Sequence, residues 1–290
     1  MAGHHPSLTP KRKGDIGRAI PIYYDPSLRK TRSKRSIRVD LTLFFKEQGI
    51  DVFSEVSLRD LSDVDRSSVV QFFPVARSVI VFGREVPVPV YRLPPKEKTR
   101  GMLRIAEALD NTTVLLAARL KAKEVPALPV PLYLSVRIAD GKVQGVVRLK
   151  QVAAAGGIGS PGMNTVLLNP RFGPRLLLSG VVTGRNVAES RHTERSPERI
   201  KAPVCMGCGR CVSVCPAGAI GPECIDAFRC RTVSAVVPPV MVPAVKWMLK
   251  RTLFLKCIAP LAPWIARTAT IRCSLCVTRC PNYSGDGCQT

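Results

Sequence analysis

The sequence has no uncharged apolar run long enough to cross a bilayer. Its two most apolar stretches, VSAVVPPVMVPAV and LFLKCIAPLAPWIA, fall within residues 233–266, where Lys246, Lys250, Arg251, Lys256 and several prolines interrupt them. A spanning helix takes about 20 predominantly apolar residues, so no transmembrane segment is expected. The N-terminal stretch also lacks an apolar signal region and an Arg-Arg pair ahead of one. A reducing, cytoplasmic setting is therefore the expectation. Acidic residues are few, with 21 Asp and Glu against 44 Lys and Arg, for a net charge of +23. The excess is uneven: residues 1–38 hold ten Lys/Arg against two Asp, and residues 199–290 hold twelve against three acids. A surface of this sign attracts nucleic acid, an acidic redox protein or anionic lipid. Histidine is scarce at three residues; His4 and His5 sit in the N-terminal tail and are given no metal role.

Cysteine is plentiful, with eleven residues. In a short secreted chain that count would suggest disulfides, but here the cysteines cluster at metal spacing. The stretch CMGCGRCVSVCP places Cys205, Cys208, Cys211 and Cys215 at C-x2-C-x2-C-x3-C-P. This is the bacterial ferredoxin spacing for a [4Fe–4S] cluster. Three thiolates at such short gaps can wrap one cube, and Gly207 and Gly209 let the backbone pass close to it. Zinc sites more often use two separated pairs of ligands. In two-cluster ferredoxins the fourth Cys of such a run serves the other cluster. The motif therefore asks for a second one.

Cys273, Cys276 and Cys280 supply most of it, reading C-x2-C-x3-C-P, with Thr270 where a first Cys would stand. The crossing rule assigns Cys205, Cys208, Cys211 and Cys280 to cluster one, and Cys273, Cys276 and Cys215 to cluster two. The missing ligand is Cys230 or Cys224. Cys257 and Cys288 have no evident role; a lone Cys in an apolar run is more often a small core residue. Basic residues near two anionic clusters also offset their charge.

Along the chain, residues 1–38 mix Pro, Ser, Gly and basic residues and read as a solvated, disordered tail, with nucleic-acid contact the sharper alternative. Asp40 is placed to cap a helix running to Gln48, with Leu41, Phe44 and Phe45 on one face and Gly49 closing it. SVIVFG at 78–83 reads as a buried strand. Prolines 87, 89, 94 and 95 predict a loop, and helical apolar spacing predicts a helix from about 99 to 123. VPALPVPLYL, with alternating prolines, predicts an extended, irregular stretch. Residues 156–183 read as a glycine loop followed by strand, turn and strand. This is not G-x-G-x-x-G opening a helix, because Pro161 and the apolar sequel oppose one. The interrupted insert 233–266 is expected to pack on the core. Its second reading is a membrane-surface or partner-binding patch anchored by Trp247 and Trp264.

The stretch 156–183, GGIGSPGMNTVLLNPRFGPRLLLSGVVT, resembles the segment ahead of the iron–sulfur domain in epoxyqueuosine reductases and reductive dehalogenases. Gly157, Gly159, Gly162, Asn164, Thr165, Leu167, Leu168, Pro170, Gly173 and Pro174 carry the likeness. CMGCGRCVSVCPAGAI fits downstream, and DAFRC at 226–230 resembles the families' Asp-Ala-x-Arg-Cys, which picks Cys230 over Cys224. The resemblance implies an α+β chain: a nitroreductase-like core at residues 39–195, then a ferredoxin-like domain with two [4Fe–4S] clusters at 196–290. It also implies base-off cobalamin beside the nearer cluster, with Gly156, Gly157, Gly159, Gly162 and Asn164 as its contacts.

Electrons would come from a low-potential donor such as a ferredoxin or flavodoxin. The implied function is an oxygen-sensitive, anaerobic iron–sulfur oxidoreductase passing electrons to cobalamin. The alternatives are a relay for another redox protein, and an epoxyqueuosine reductase acting on tRNA. Some features depart from the families. Asp140 stands near the reductases' acidic proton donor but lacks the accompanying Pro and Glu. Met163 replaces a common basic residue. Neither the reductases' C-terminal extension nor the dehalogenases' export signal is expected, and Tyr133 is the only guess for the dehalogenase donor.

Overall fold

The computed structural model describes residues 40–133, 136–139, 142–187, 204–221, 225–249 and 261–284. The basic tail, Asp140, Cys224, Cys257 and Cys288 lie outside the described residues.

Helix α1 (Leu41–Glu47) starts where the Asp40 carboxylate accepts a hydrogen bond from Leu43 N at 2.9 Å. It buries Leu41, Phe44 and Phe45, and Gly49 turns the chain away at φ +63°. The chain continues through β1 (Val52–Ser57), α2 (Asp63–Phe72) and β2 (Ser78–Glu85). Then come α3 (Val88–Arg92), α4 (Pro95–Lys121) and β3 (Ala127–Pro129). A hairpin of β4 (Val136–Ala139) and β5 (Lys142–Gly145) leads to α5 (Leu149–Ala155). The short pair β6 (Ser160–Pro161) and β7 (Leu167–Leu168) precedes β8 (Leu176–Thr183).

The central sheet is antiparallel, in the order β1-β2-β8-β3. Its side chains alternate between two cores, as a strand's period of two requires. Ile80, Phe82 and Val181 pack with α1 and α4, through Phe44, Phe45, Leu116 and Leu120. Val79, Val81 and Val182 pack with α2 and α5, through Val69, Phe72, Val152 and Ala153. The result is a three-layer α+β sandwich with helices on both faces of the sheet.

Three expectations differ in detail. The proline-marked loop holds a helix: α3 lies between Pro87 and Leu93, and Pro95 opens α4, four residues earlier than the spacing suggested. Proline is tolerated in a first helical turn, where its missing N–H has no partner to lose. VPALPVPLYL contributes an edge strand, β3, the position in a sheet where proline is accepted. In the described parts of the insert, α8 (Val242–Leu249) lies against β4 and the helix Ala262–Thr268 against α4, with several apolar side chains left exposed. The insert also forms a 3-10 turn (Pro239–Met241), and Val240, Met241, Trp247, Leu261 and Trp264 are exposed.

Candidate iron–sulfur site

The first cysteine run leads into a single-turn helix, α6 (Arg210–Ser213). Gly207 and Gly209 hold φ +66° and +68°, and a Cβ on either would meet nothing within 4 Å. Their demand is conformational: L-residues enter this left-handed region at a cost of about 1–2 kcal/mol. The turn brings Cys205, Cys208 and Cys211 into the lining of one open cleft. Cys280, from the distant second motif, closes the same cleft, and Gly162 and Asn164 of the glycine stretch line it too.

The electrostatics of the thiols follow this grouping. Burial pushes Cys280 up, a backbone N–H at Asn282 opposes the shift, and Cys208, Cys205 and Cys211 add to it as neighbouring anions. Burial pushes Cys276 up to about 11, with Cys273, Cys230 and Cys215 as its next largest influences, followed by Cys211 of the neighbouring group. Cys215 is the exception. Burial alone would raise it, but backbone N–H groups at Ala219, Ala217, Ile220 and Gly218 outweigh that and lower it. The Ala219 N–H lies 3.3 Å from the Cys215 sulfur. Cys230 begins α7 (Arg231–Ser234), and the Thr232 hydroxyl on that turn donates to the Cys273 carbonyl at 3.1 Å.

All eight described cysteines are free thiols. Among the described residues, no three His, Cys, Asp or Glu groups converge as the ligands of a single ion would. In a cube each iron takes its own thiolate, which spreads the four sulfurs further apart than around one tetrahedral zinc. The donor set, thiolates only, therefore fits iron–sulfur cluster binding.

The glycine stretch holds the cysteine segments against the sandwich. Asn164, 3% exposed, donates from Nδ2 to the Cys276 carbonyl at 2.9 Å, while its Oδ1 accepts from Val166 N. Ser160 accepts from Val204 N at 2.8 Å, and Asn282 donates to the Val204 carbonyl at 2.9 Å. Arg175 is 3% exposed, pairs with Glu85 and donates to the Tyr283 carbonyl at 2.5 Å. Ring packing of Tyr91 on Tyr283 adds to this seam.

The glycines themselves are required by protein neighbours. A Cβ on Gly159 would overlap the Leu168 carbonyl, one on Gly156 would press on Ser54 and Val56, and one on Gly162 on Asn164 and Leu168. Gly157 turns at φ +75°. Close approach at Gly159 therefore arises inside the β6–β7 pair. Tyr133 does not line the cleft; its hydroxyl donates to Glu107 at 3.5 Å, and burial pushes its pKa up. Arg175 and Tyr283 escaped the sequence reading, although Gly173 and Pro174, just before Arg175, belong to the quoted resemblance.

Residues 202–221 match the 4Fe-4S binding domain family. The chain is 28% identical over 156 residues to epoxyqueuosine reductase of Listeria monocytogenes. It is 25% identical over 154 residues to that of Bacillus cereus. The chain is an epoxyqueuosine reductase-like iron–sulfur protein. Each alignment takes in 51% of this chain and 37% of the relative, so the match spans little more than a third of those proteins.

Solved epoxyqueuosine reductases share the fold of this reductase-like chain. A selenomethionine-labelled one superposes with a TM-score of 0.51 at 18% identity, over 86% of this chain and 66% of the other. The one from Streptococcus thermophilus gives 0.52 at 16%, over 84% and 65%. Identities this low speak for the fold alone.

Proposed function

We propose that this chain is a reductase that carries low-potential electrons through two [4Fe–4S] clusters to a substrate bound against the sandwich. The observation that carries the reading is the shared cleft: Cys205, Cys208, Cys211 and Cys280 line it together with Asn164 and Gly162 of the core. In this reading those four cysteines hold the cluster nearer the core. Cys215, Cys230, Cys273 and Cys276 hold the outer one. A bound [4Fe–4S] cluster accepts and passes one electron at a time. The chain's own residues set the site: backbone N–H groups stabilise the Cys215 thiolate, and Asn164 ties the second cysteine run to the core.

The relatives' name makes epoxyqueuosine, carried on tRNA, the favoured substrate class, and a basic chain suits an RNA partner. The resemblance also implies cobalamin. In that case the glycine stretch would hold it beside the nearer cluster, and Gly162 and Asn164 of that stretch line the cluster cleft. A ferredoxin or flavodoxin remains the proposed donor class.

The deciding experiment is anaerobic reconstitution with iron and sulfide, with and without added cobalamin, followed by incubation with epoxyqueuosine-bearing tRNA and a low-potential reductant. Conversion to queuosine, scored by mass spectrometry of nucleosides, supports the reading. A fully clustered protein that reduces nothing under these conditions overturns it. A second reading, a relay protein without its own substrate, draws on the exposure of Cys208 and Met206 beside the cleft. It predicts electron transfer to an added redox protein with no nucleoside product.

A further inference from the structure

The insert after Cys230 presents apolar side chains to solvent on a segment whose own charges are all positive. Val240 is 84% exposed, Trp264 68% and Trp247 59%; Met241, Leu261 and Ile265 are exposed beside them in the sequence. These residues sit on the 3-10 turn Pro239–Met241, on α8, and on or next to the helix Ala262–Thr268. The helix α8 lies against β4, and Ala262–Thr268 lies against α4. The two seats adjoin: Glu107 of α4 meets both Arg267 and the hydroxyl of Tyr133, which precedes β4.

Charge supplies the second observation. Between Asp226 and Asp286 the sequence contains nine Lys or Arg and no Asp or Glu. Lys246 and Arg267 lie on the two insert helices themselves. A second copy of the chain would bring like charge to like charge, and a nucleic acid would have no use for Val240, Met241 or Leu261. An anionic bilayer answers both features. Its headgroups attract the cations, and its acyl boundary takes up the aliphatic side chains and the tryptophans, which favour that depth.

We propose that the insert is a peripheral docking surface for anionic phospholipid membranes. It lies on the surface without spanning, since no helix among the described residues is long and apolar enough to cross. The surface begins within a few residues of Cys230, so docking would bring the outer cysteine group toward the membrane.

The chain has only two tryptophans, and both lie on this surface. Intrinsic tryptophan emission of the full, clustered chain therefore reports on it directly. The probe is vesicles of phosphatidylcholine, with or without a third of phosphatidylglycerol. The expected result is co-sedimentation and blue-shifted emission with the anionic vesicles only, weakened as salt is raised. Val240→Asp and Trp264→Ala should each lower partitioning by about tenfold, the scale of one lost buried side chain. Visible absorbance of the clusters checks that the variants fold. Quenching of the unaltered chain by brominated phosphatidylglycerol gives a measurement that needs no variant. Absence of quenching overturns the proposal. So does an emission shift caused by tRNA and not by vesicles, or by self-association.

Discussion

The backbone of Gly173 lies against the carbonyl of Asn282, so close that a Cβ at position 173 would overlap it. Gly173 also holds φ +54°, a conformation an L side chain resists. This contact joins the end of the glycine stretch to the turn that follows Cys280.

Gly173→Ala should therefore loosen the cysteine segments from the sandwich. The expected loss is about 2–4 kcal/mol, combining backbone strain with overlap. Gly207→Ala is the contrast, because its φ is similar but its surroundings are open. It should cost only about 1 kcal/mol. Thermal unfolding of both variants under anaerobic conditions compares them. Equal costs would mean that the Asn282 contact is soft.

Iron content tests the assignment of the outer cysteine group. The reconstituted chain should hold about eight iron and eight sulfide. Cys230→Ala should lose about four of each, while Cys257→Ala and Cys288→Ala should lose none. Loss on Cys224→Ala, with Cys230→Ala unaffected, would move the ligand to Cys224.

Asn164 distinguishes donation from simple burial. Its Nδ2 donates to the Cys276 carbonyl, so Asn164→Ala should cost about 1–2 kcal/mol. Asn164→Asp should cost more, because a carboxylate cannot donate and would face that carbonyl. Denaturant unfolding and the rate of iron release to a chelator give the two readouts. An aspartate variant as stable as the parent would refute the hydrogen bond.

Arg175 is a buried cation whose partners come from both sides of the seam, Glu85 from β2 and the Tyr283 and Ser284 carbonyls beyond the last motif. Arg175→Ala should cost about 3 kcal/mol, since it leaves polar groups unpaired in a closed interface. Limited proteolysis should then cut earlier after Cys280. An unchanged cleavage pattern would show that the seam holds without it.

Much of this protein was legible because its signals are local. Asp40 caps the residues that follow it, α4 shows its buried face by helical spacing, and β2 is a short apolar run. The cysteine spacings needed no structure to suggest thiolate chemistry. Elements with weaker local signals, such as β1, α2 and α5, emerged only when packed against the sheet.

The sequence by itself determined the thiol runs, the chain's charge and the glycine positions, since these depend on residue identity and short spacing alone. Only the tertiary structure decided what those glycines face. Gly159 is held by Leu168, and Gly173 by Asn282. Steric demand at a glycine depends on whichever backbone arrives beside it, and for Gly173 that backbone comes from far along the chain. The same holds for the insert. Its composition allowed burial or exposure, and the fold left Val240, Trp247 and Trp264 exposed while seating the two described helices on β4 and α4.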